Sequence, residues 1–253
     1  MRLVLCTVFL ATGVAAPLAV AEVEDETRPW KVSAELGAIA TSGNTETTTI
    51  QGKIEADHNT LKWSNRYTLG VLFKEDQVNQ PDGSQETVKT AERIAVSARG
   101  GYRLAREHSN LFIYGSHVDD EFAAYSTYST VSIGYGARLY DGSRAQLDME
   151  IGPGYYWADQ RLNDGSTVTE SSAIGRGALQ FDWQLTDSAD FRQVLSVETG
   201  PDNTRTVSDT SLSTRINSAM KMKVGFNLTS DTDVAPDMES TDTMTYVNLV
   251  YSF

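Results

Sequence analysis

Cysteine is nearly missing from this 253-residue chain: Cys6 is the only one. A single thiol allows no internal disulfide framework and no thiolate metal centre. Histidine is scarce too, with His58, His108 and His117 alone, which leaves little material for nucleophilic or metal chemistry. Positive charge is outweighed, 21 Lys and Arg against 34 Asp and Glu, for a net charge of −13. That balance argues against nucleic acid as a partner. Past the first twenty-one residues no apolar run reaches the roughly 20 residues of a membrane helix. A membrane is not thereby excluded, because a β-barrel crosses lipid with alternating segments of ordinary mean polarity. Helical spacing, internal repeats, low-complexity tracts and domain linkers are all wanting.

The start of the chain stands apart. Residues 1–21, MRLVLCTVFLATGVAAPLAVA, carry one early Arg, a short apolar stretch and Ala19-Val20-Ala21 before Glu22. This layout is that of a cleaved signal peptide, and Cys6 lies within it. A membrane helix is the competing reading, but Thr12, Gly13 and Pro17 interrupt the run and no stop-transfer charges follow. The expected mature protein is one domain, residues 22–253, exported across the inner membrane.

Alternation of period two dominates that domain, the signature of strands. Trp30, Val32, Ala34, Leu36, Ala38 and Ala40 face Lys31, Ser33 and Glu35; Trp63, Tyr67, Leu69, Val71 and Phe73 face Lys62, Ser64, Arg66 and Thr68. The pattern recurs at Thr48–Ala56, Val88–Tyr102, Leu111–Val118, Tyr125–Tyr140, Ala145–Trp157, Ser172–Leu185, Phe191–Thr199, Ser208–Ser218, Met220–Ser230 and Thr243–Phe253. The series makes about twelve strands, an even number, as in single-chain outer-membrane barrels. Short connections at Asn59-Thr60, Arg103–Ser109, Asp141–Arg144, Asp187–Asp190 and near Ala219 alternate with longer polar ones at Thr41–Thr47, Glu75–Thr87, Asp119–Ala124, Asp159–Glu170, Gly200–Val207 and Asp231–Asp242. Short periplasmic turns and longer outer loops alternate in the same way in membrane barrels. Aromatic residues sort by height into two girdles: Trp30, Trp63, Tyr102, Trp183, Phe191, Tyr251 and Phe253 at the periplasmic end, Phe73, Tyr125, Tyr155 and Trp157 at the outer end. Rings favour the lipid–water boundary.

Some residues fit less well. Asn65, Glu92 and Gln193 fall on the lipid face, and Pro153 in GPGYYW predicts a bulge. The pairs Gly134/Gly136, Gly152/Gly154 and Gly175/Gly177 lie inside strands with no following helix, so they are not phosphate loops. Close strand packing or bulges account for them.

One alternating face would also suit a soluble β-sandwich, apolar inside and charged outside; a barrel inverts that arrangement. The segment TDTMTYVNLVYSF discriminates. Val247, Leu249, Tyr251 and Phe253 form an alternating apolar face ending on an aromatic, the pattern expected of a signal read by the barrel-insertion machinery. The expected architecture is therefore all-β: an antiparallel up-and-down transmembrane β-barrel of about twelve strands in the outer membrane of a Gram-negative cell.

The stretches LGAIATSGNTETTTIQGKIEA (36–56), VDDEFAAYSTYSTVSIGYGARLYD (118–141) and TDTMTYVNLVYSF (241–253) resemble the YdiY-like family of salt-induced outer-membrane proteins, a domain of unknown function. The resemblance implies an outer-membrane barrel, carries over no catalytic residues, and suggests induction under salt or osmotic stress.

The lumen face is where chemistry would sit. Its basic candidates are Lys31, Lys53, Lys62, Arg66, Lys74, Lys89, Arg93, Arg99, Arg138, Arg176, Arg192, Arg215 and Lys223; its acidic ones are Glu35, Glu55, Asp57, Asp148, Glu150, Asp182 and Glu198. Such a wall leans basic, which lowers the barrier for anions, while surplus acid gathers in the loops. Two readings stand side by side: a narrow anion-favouring channel, or a closed structural barrel whose charges pair across strands. Asp119, Asp120, Glu121, Asp231 and Asp233 are weak candidates for divalent cations, since none has the spacing of a defined calcium loop. Catalysis has little support. Ser116-His117 beside Asp119 is the best constellation available for a lipid hydrolase, and no G-x-S-x-G elbow occurs. We therefore expect no enzyme activity and no cofactor. Expected partners are outer-membrane lipid, lipopolysaccharide and the insertion machinery, around a monomer.

Overall fold

A strand with apolar residues on one face must bury that face or give it to lipid, and its backbone must find partners on both edges. Here both demands are met by closure. The computed structural model describes residues 29–41, 47–79, 85–105, 108–162, 166–235 and 238–253; the expected signal peptide, residues 1–21, lies outside them. Twelve strands follow in order: β1 (Trp30–Thr41), β2 (Thr47–Asn59), β3 (Trp63–Asn79), β4 (Gln85–Arg103), β5 (Ser109–Asp120), β6 (Tyr125–Asp141), β7 (Ala145–Arg161), β8 (Thr167–Gln184), β9 (Ala189–Thr199), β10 (Thr204–Arg215), β11 (Met220–Asp231) and β12 (Thr241–Ser252). Each pairs antiparallel with its sequence neighbours, and β1 pairs with β12 to close the barrel. That seam is short: four register pairs, from Ser33↔Ser252 to Leu36↔Leu249, where β1 and β2 share twelve.

The faces are inverted relative to a soluble fold. Leu36, Ile54, Leu69, Ile94, Ile133, Ile151, Leu212, Val224 and Leu249 are exposed on the outer wall, whereas Arg176, Glu198, Arg205, Lys223 and Asn248 are buried inside. A sandwich would bury the first set, so the sandwich reading falls. Near the short-turn end, Trp30, Trp63, Tyr102, Trp183, Tyr251 and Phe253 are exposed, with Trp63 against Tyr102 at 5.3 Å and Tyr251 against Phe253 at 4.8 Å between ring centres. Phe73, Tyr155 and Trp157 are exposed toward the loop end. The misfit polar residues on the outer wall find partners there: Gln193 donates to Ser208 Oγ at 2.9 Å and accepts from Thr210, and Asn65 Nδ2 lies 3.3 Å from His58 Nδ1. Lipid offers no other partner.

Three expectations are corrected. Tyr125 does not join the outer girdle. A register shift between Tyr125 and Thr127 turns it into the lumen, where it is 2 % exposed. The long loops shrink: β3 runs on to Asn79 and β4 starts at Gln85, and loop-end connections span four to nine residues against three to five at the turn end. Beyond the lipid a hairpin needs no apolar face, so polar sequence extends the strands by ladder pairing alone. Pro153 makes no bulge, for the β6–β7 register is the same on both sides of it. Instead the ladder lapses there, and Gly134 and Gly152 let the two backbones approach so closely that a Cβ on Gly152 would overlap the Ile133 carbonyl.

Candidate functional site: the barrel lumen

Because successive side chains on a strand point to opposite faces, every lipid-facing apolar residue places a neighbour in the lumen. These neighbours enclose a cavity of about 920 Å³. Arg103, Leu104, His108, Arg138 and Asp148 line it at the turn end, and Val118, Tyr128, Ser196, Glu198 and Arg205 at the loop end. Its wall holds ten Lys and Arg side chains against seven carboxylates.

Of the residues singled out by sequence, Glu35, Lys53, Glu55, Asp57, Arg66, Arg93, Arg99, Arg138, Asp148, Glu150, Arg176, Arg192, Glu198 and Lys223 line this cavity. Others lie elsewhere. Lys62 sits in the β2–β3 turn, and Lys31 and Arg215 are exposed near the turn end. Lys89 is exposed on β4, paired with Glu92 and 3.6 Å from Glu121. Lys74 pairs with Asp76 at 2.9 Å. Asp182 stands behind Arg192, its Oδ1 2.5 Å from Nε.

The lumen charges are paired, often across several strands. Arg99 on β4 reaches Glu150 on β7 at 2.5 Å; Glu150 also takes Arg176 at 3.3 Å, and Arg176 meets Glu198 at 3.4 Å. Glu198 then accepts from Tyr128 at 3.3 Å and Thr130 at 3.1 Å on β6. Cations also cover the inward aromatic faces: Arg176 lies 4.1 Å from the Tyr114 ring centre and Arg205 4.2 Å from that of Tyr128, a favourable arrangement in its own right.

The loop end is stoppered. Tyr125, Tyr128 and Tyr156 pack with Ala124, Ala158 and Ile174, and Val118, Val234 and Met238 join them. Tyr128 stacks on Tyr156 at 5.4 Å and meets Tyr125 edge-on at 5.9 Å. The β11–β12 connection lies over this cluster and is held by Asn203. The Asn203 Oδ1 accepts from the backbone N–H of Thr232 at 2.9 Å and of Asp233 at 3.2 Å, while its Nδ2 donates to Asp231 Oδ1 at 2.9 Å. Arg205 pairs with Asp231 at 3.1 Å, and Tyr125 Oη donates to the Asp233 carbonyl at 3.0 Å. Asp231, expected as a loop acid, is thus buried and neutralised. Asp120 faces Arg93 at 3.6 Å and Glu121 faces Lys89. Among the described residues no three potential ligands converge on a metal site.

The structure separates the Ser116-His117 constellation singled out by sequence. Adjacent strand residues point opposite ways, so Ser116 lines the lumen while His117 is exposed on the outer wall. His117 Nδ1 instead lies 2.7 Å from Ser129 Oγ, directly across the β5–β6 ladder. Ser129 is only 5 % exposed, and strand N–H groups engaged in ladder bonds offer no oxyanion hole. His58 stacks on Trp30 at 4.3 Å and His108 Nδ1 lies 3.6 Å from Asp141.

Sequence reasoning missed Asn203, Arg205, Asp209, Tyr156 and Tyr246. Arg205 fell in an expected loop because Thr206, Ser208 and Thr210 make the outer face of β10 polar, leaving no apolar alternation to read. The period-two set Arg205, Val207, Asp209 and Ser211 was the available signal.

Comparison with known proteins places the chain. The family described as "Protein of unknown function, DUF481" matches residues 34–253. The uncharacterized protein YdiY of Escherichia coli (strain K12) is 28% identical over 226 residues, covering 89% of this chain and 84% of that protein. The translocator domain of the autotransporter NalP from Neisseria meningitidis superposes with a TM-score of 0.51 at 14% identity, covering 91% of this chain and 90% of the other. An outer membrane channel from Pseudomonas putida F1 superposes with a TM-score of 0.50 at 11% identity, covering 92% and 100%. These likenesses establish an outer-membrane type of barrel fold.

Proposed function

The chain belongs to the family of proteins of unknown function DUF481, and from that premise we propose that it is a narrow, anion-favouring outer-membrane channel, held shut at its outer end. The short-turn end faces the periplasm and the loop end the exterior, as in barrels of this type. The observation that carries this reading is the cavity wall, with ten basic side chains against seven carboxylates in a protein of net charge −13. A positively biased lumen lowers the electrostatic barrier for anions. The stopper of Tyr125, Tyr128 and Tyr156 supports a closed resting state.

The rest of the reading follows the same wall. Residues 1–21 act as a signal peptide. The outward face of β12, Val247, Leu249 and Tyr251, together with Phe253, is what the insertion machinery reads. Outer-membrane lipid and lipopolysaccharide contact the apolar band of a single-chain, monomeric barrel, and the family resemblance supports induction in salt stress. No enzymatic role is assigned, given the His117–Ser129 geometry.

The test is a planar bilayer recording in asymmetric chloride, on the parent protein and on a variant with a destabilised stopper. Unitary currents with a reversal potential on the anion side are expected from the variant. A barrel that never conducts, stopper released, would instead be a closed structural element of the envelope; the paired lumen charges are what favour that second reading.

A further inference from the structure

Two side-chain contacts cross the lumen where the topology leads one to expect open space. β3 and β8 are five strands apart in a ring of twelve, and so are β9 and β2 counted through the seam; both pairs are close to diametric. Yet Arg66 Nη1 on β3 donates to Gln180 Oε1 on β8 at 3.0 Å, and Arg192 Nη1 on β9 lies 3.8 Å from Glu55 Oε1 on β2. Both arginines are braced from behind. Arg66 makes a two-point contact with Asp57, at 2.7 and 3.5 Å, and Arg192 is held by Asp182, which also accepts from Gln180 Nε2 at 2.5 Å. Glu55 is shared, lying 3.8 Å from Arg66 Nε as well. The result is a continuous bar of polar contacts from one wall to the other, below the tyrosine stopper and separate from it.

We propose that this bar is the constriction of the lumen and the determinant of what passes. The inference rests on the channel reading above and names its filter. Lys53, 3.1 Å from Glu55, brings the cations of the group to three with Arg66 and Arg192, against the three carboxylates Glu55, Asp57 and Asp182. A filter with balanced charge sorts by size, while the basic surplus of the wall beyond it supplies the sign preference. Removing one carboxylate from the bar leaves it net positive; removing one arginine leaves it net negative. Gln180, which carries no charge, is the span that can be cut without altering that balance.

The test uses the full-length protein in a Cys6→Ser background with a reporter thiol at Ser196→Cys. Ser196 lines the cavity four residues beyond Arg192 on β9. Purified barrels are labelled with a small and a bulky thiol reagent, with and without Gln180→Ala, and with Lys62→Ala as a control in the β2–β3 turn, outside the cavity. Gln180→Ala should raise the rate for the bulky reagent about tenfold and leave the small one nearly unchanged; Lys62→Ala should do neither. Equal bulky-reagent rates in parent and Gln180→Ala would overturn the proposal. In recordings, Glu55→Gln should move the reversal potential toward anions and Arg192→Gln toward cations; unchanged potentials in conducting barrels would also overturn it. Raised labelling without conductance in any variant would uphold the constriction and sink the channel reading.

Discussion

Replacing Asn203 with alanine should unlatch the stopper. In the closed state the Asn203 side chain satisfies two backbone N–H groups, those of Thr232 and Asp233, and donates to Asp231. Asn203 is buried, so water does not readily replace it while the connection stays down. The Thr232 N–H keeps the Thr204 carbonyl as a second acceptor at 3.2 Å, so the donor left without a partner is that of Asp233. A donor left unsatisfied costs about 1–3 kcal/mol, and a lifted connection hydrates it and loses nothing. Taking about 2 kcal/mol, the ratio of open to closed states rises about thirtyfold, at 1.4 kcal/mol per factor of ten.

The assay combines unitary recording with outside labelling of the Ser196→Cys reporter in intact cells, using a membrane-impermeant reagent. Parent protein should label slowly and Asn203→Ala about thirtyfold faster, by the same conversion. Tyr125→Phe removes the donor to the Asp233 carbonyl and should give a smaller increase of about tenfold, as one hydrogen bond of ordinary strength would. Both variants should keep the folded, fast-migrating form on unheated gels. Asn203→Ala labelled at the parent rate, in a barrel shown to be folded, would refute the reasoning and place the closure elsewhere.

The β1–β12 seam has four register pairs, but Lys223 on β11 reaches over β12 to Glu35 on β1 at 2.9 Å, with side chains 11 and 9 % exposed. Breaking such a buried pair costs about 3–5 kcal/mol, so Lys223→Ala should lower the temperature of folded-to-unfolded band conversion more than Lys89→Ala, whose pair is exposed. Gly152→Val should fail to assemble, because its Cβ has no room beside the Ile133 carbonyl; Gly177→Val, with nothing near its Cβ, should fold. An outward Val247→Arg, further from the girdle residue Tyr251, should destabilise by about 2–4 kcal/mol, and Leu249→Arg, next to that girdle, by less, both measured by urea unfolding in vesicles.

The barrel was legible because closure and lipid impose the same period on every strand. Leu249, Val247 and Tyr251 had to share a face, and a single reading of their alternation fixed inside and outside together. Strand ends were less legible. Glu75–Asn79 and Gln85–Thr87 carry no apolar stripe, yet pair as strands because a ladder satisfies backbone groups without one. Tyr125 shows the sharper limit. Period two assigns it to the outer wall, and one shift of register against β7 reverses it. A bulge displaces side chains by a whole face while leaving almost no trace in composition, so the stopper was hidden although each of its tyrosines was in view.

Cross-lumen partners were beyond reach for another reason. Arg66 and Gln180 are 114 residues apart and meet through the curvature of the wall, which no local pattern encodes. Their chemistry still bears on function. Buried ion pairs are often less stabilising than apolar side chains of the same volume, so a lumen built only to be solid would be filled with leucine and phenylalanine. This one keeps Arg66, Arg99, Arg176, Arg192 and Arg205 in paired positions around a cavity of about 920 Å³. The buried apolar cluster of Tyr125, Tyr128, Tyr156 and Ile174 lies at the loop end, beneath the connection that Asn203 holds. A polar wall of this kind is what the channel proposal rests on, and a closed structural barrel gains nothing from it that apolar packing would not supply.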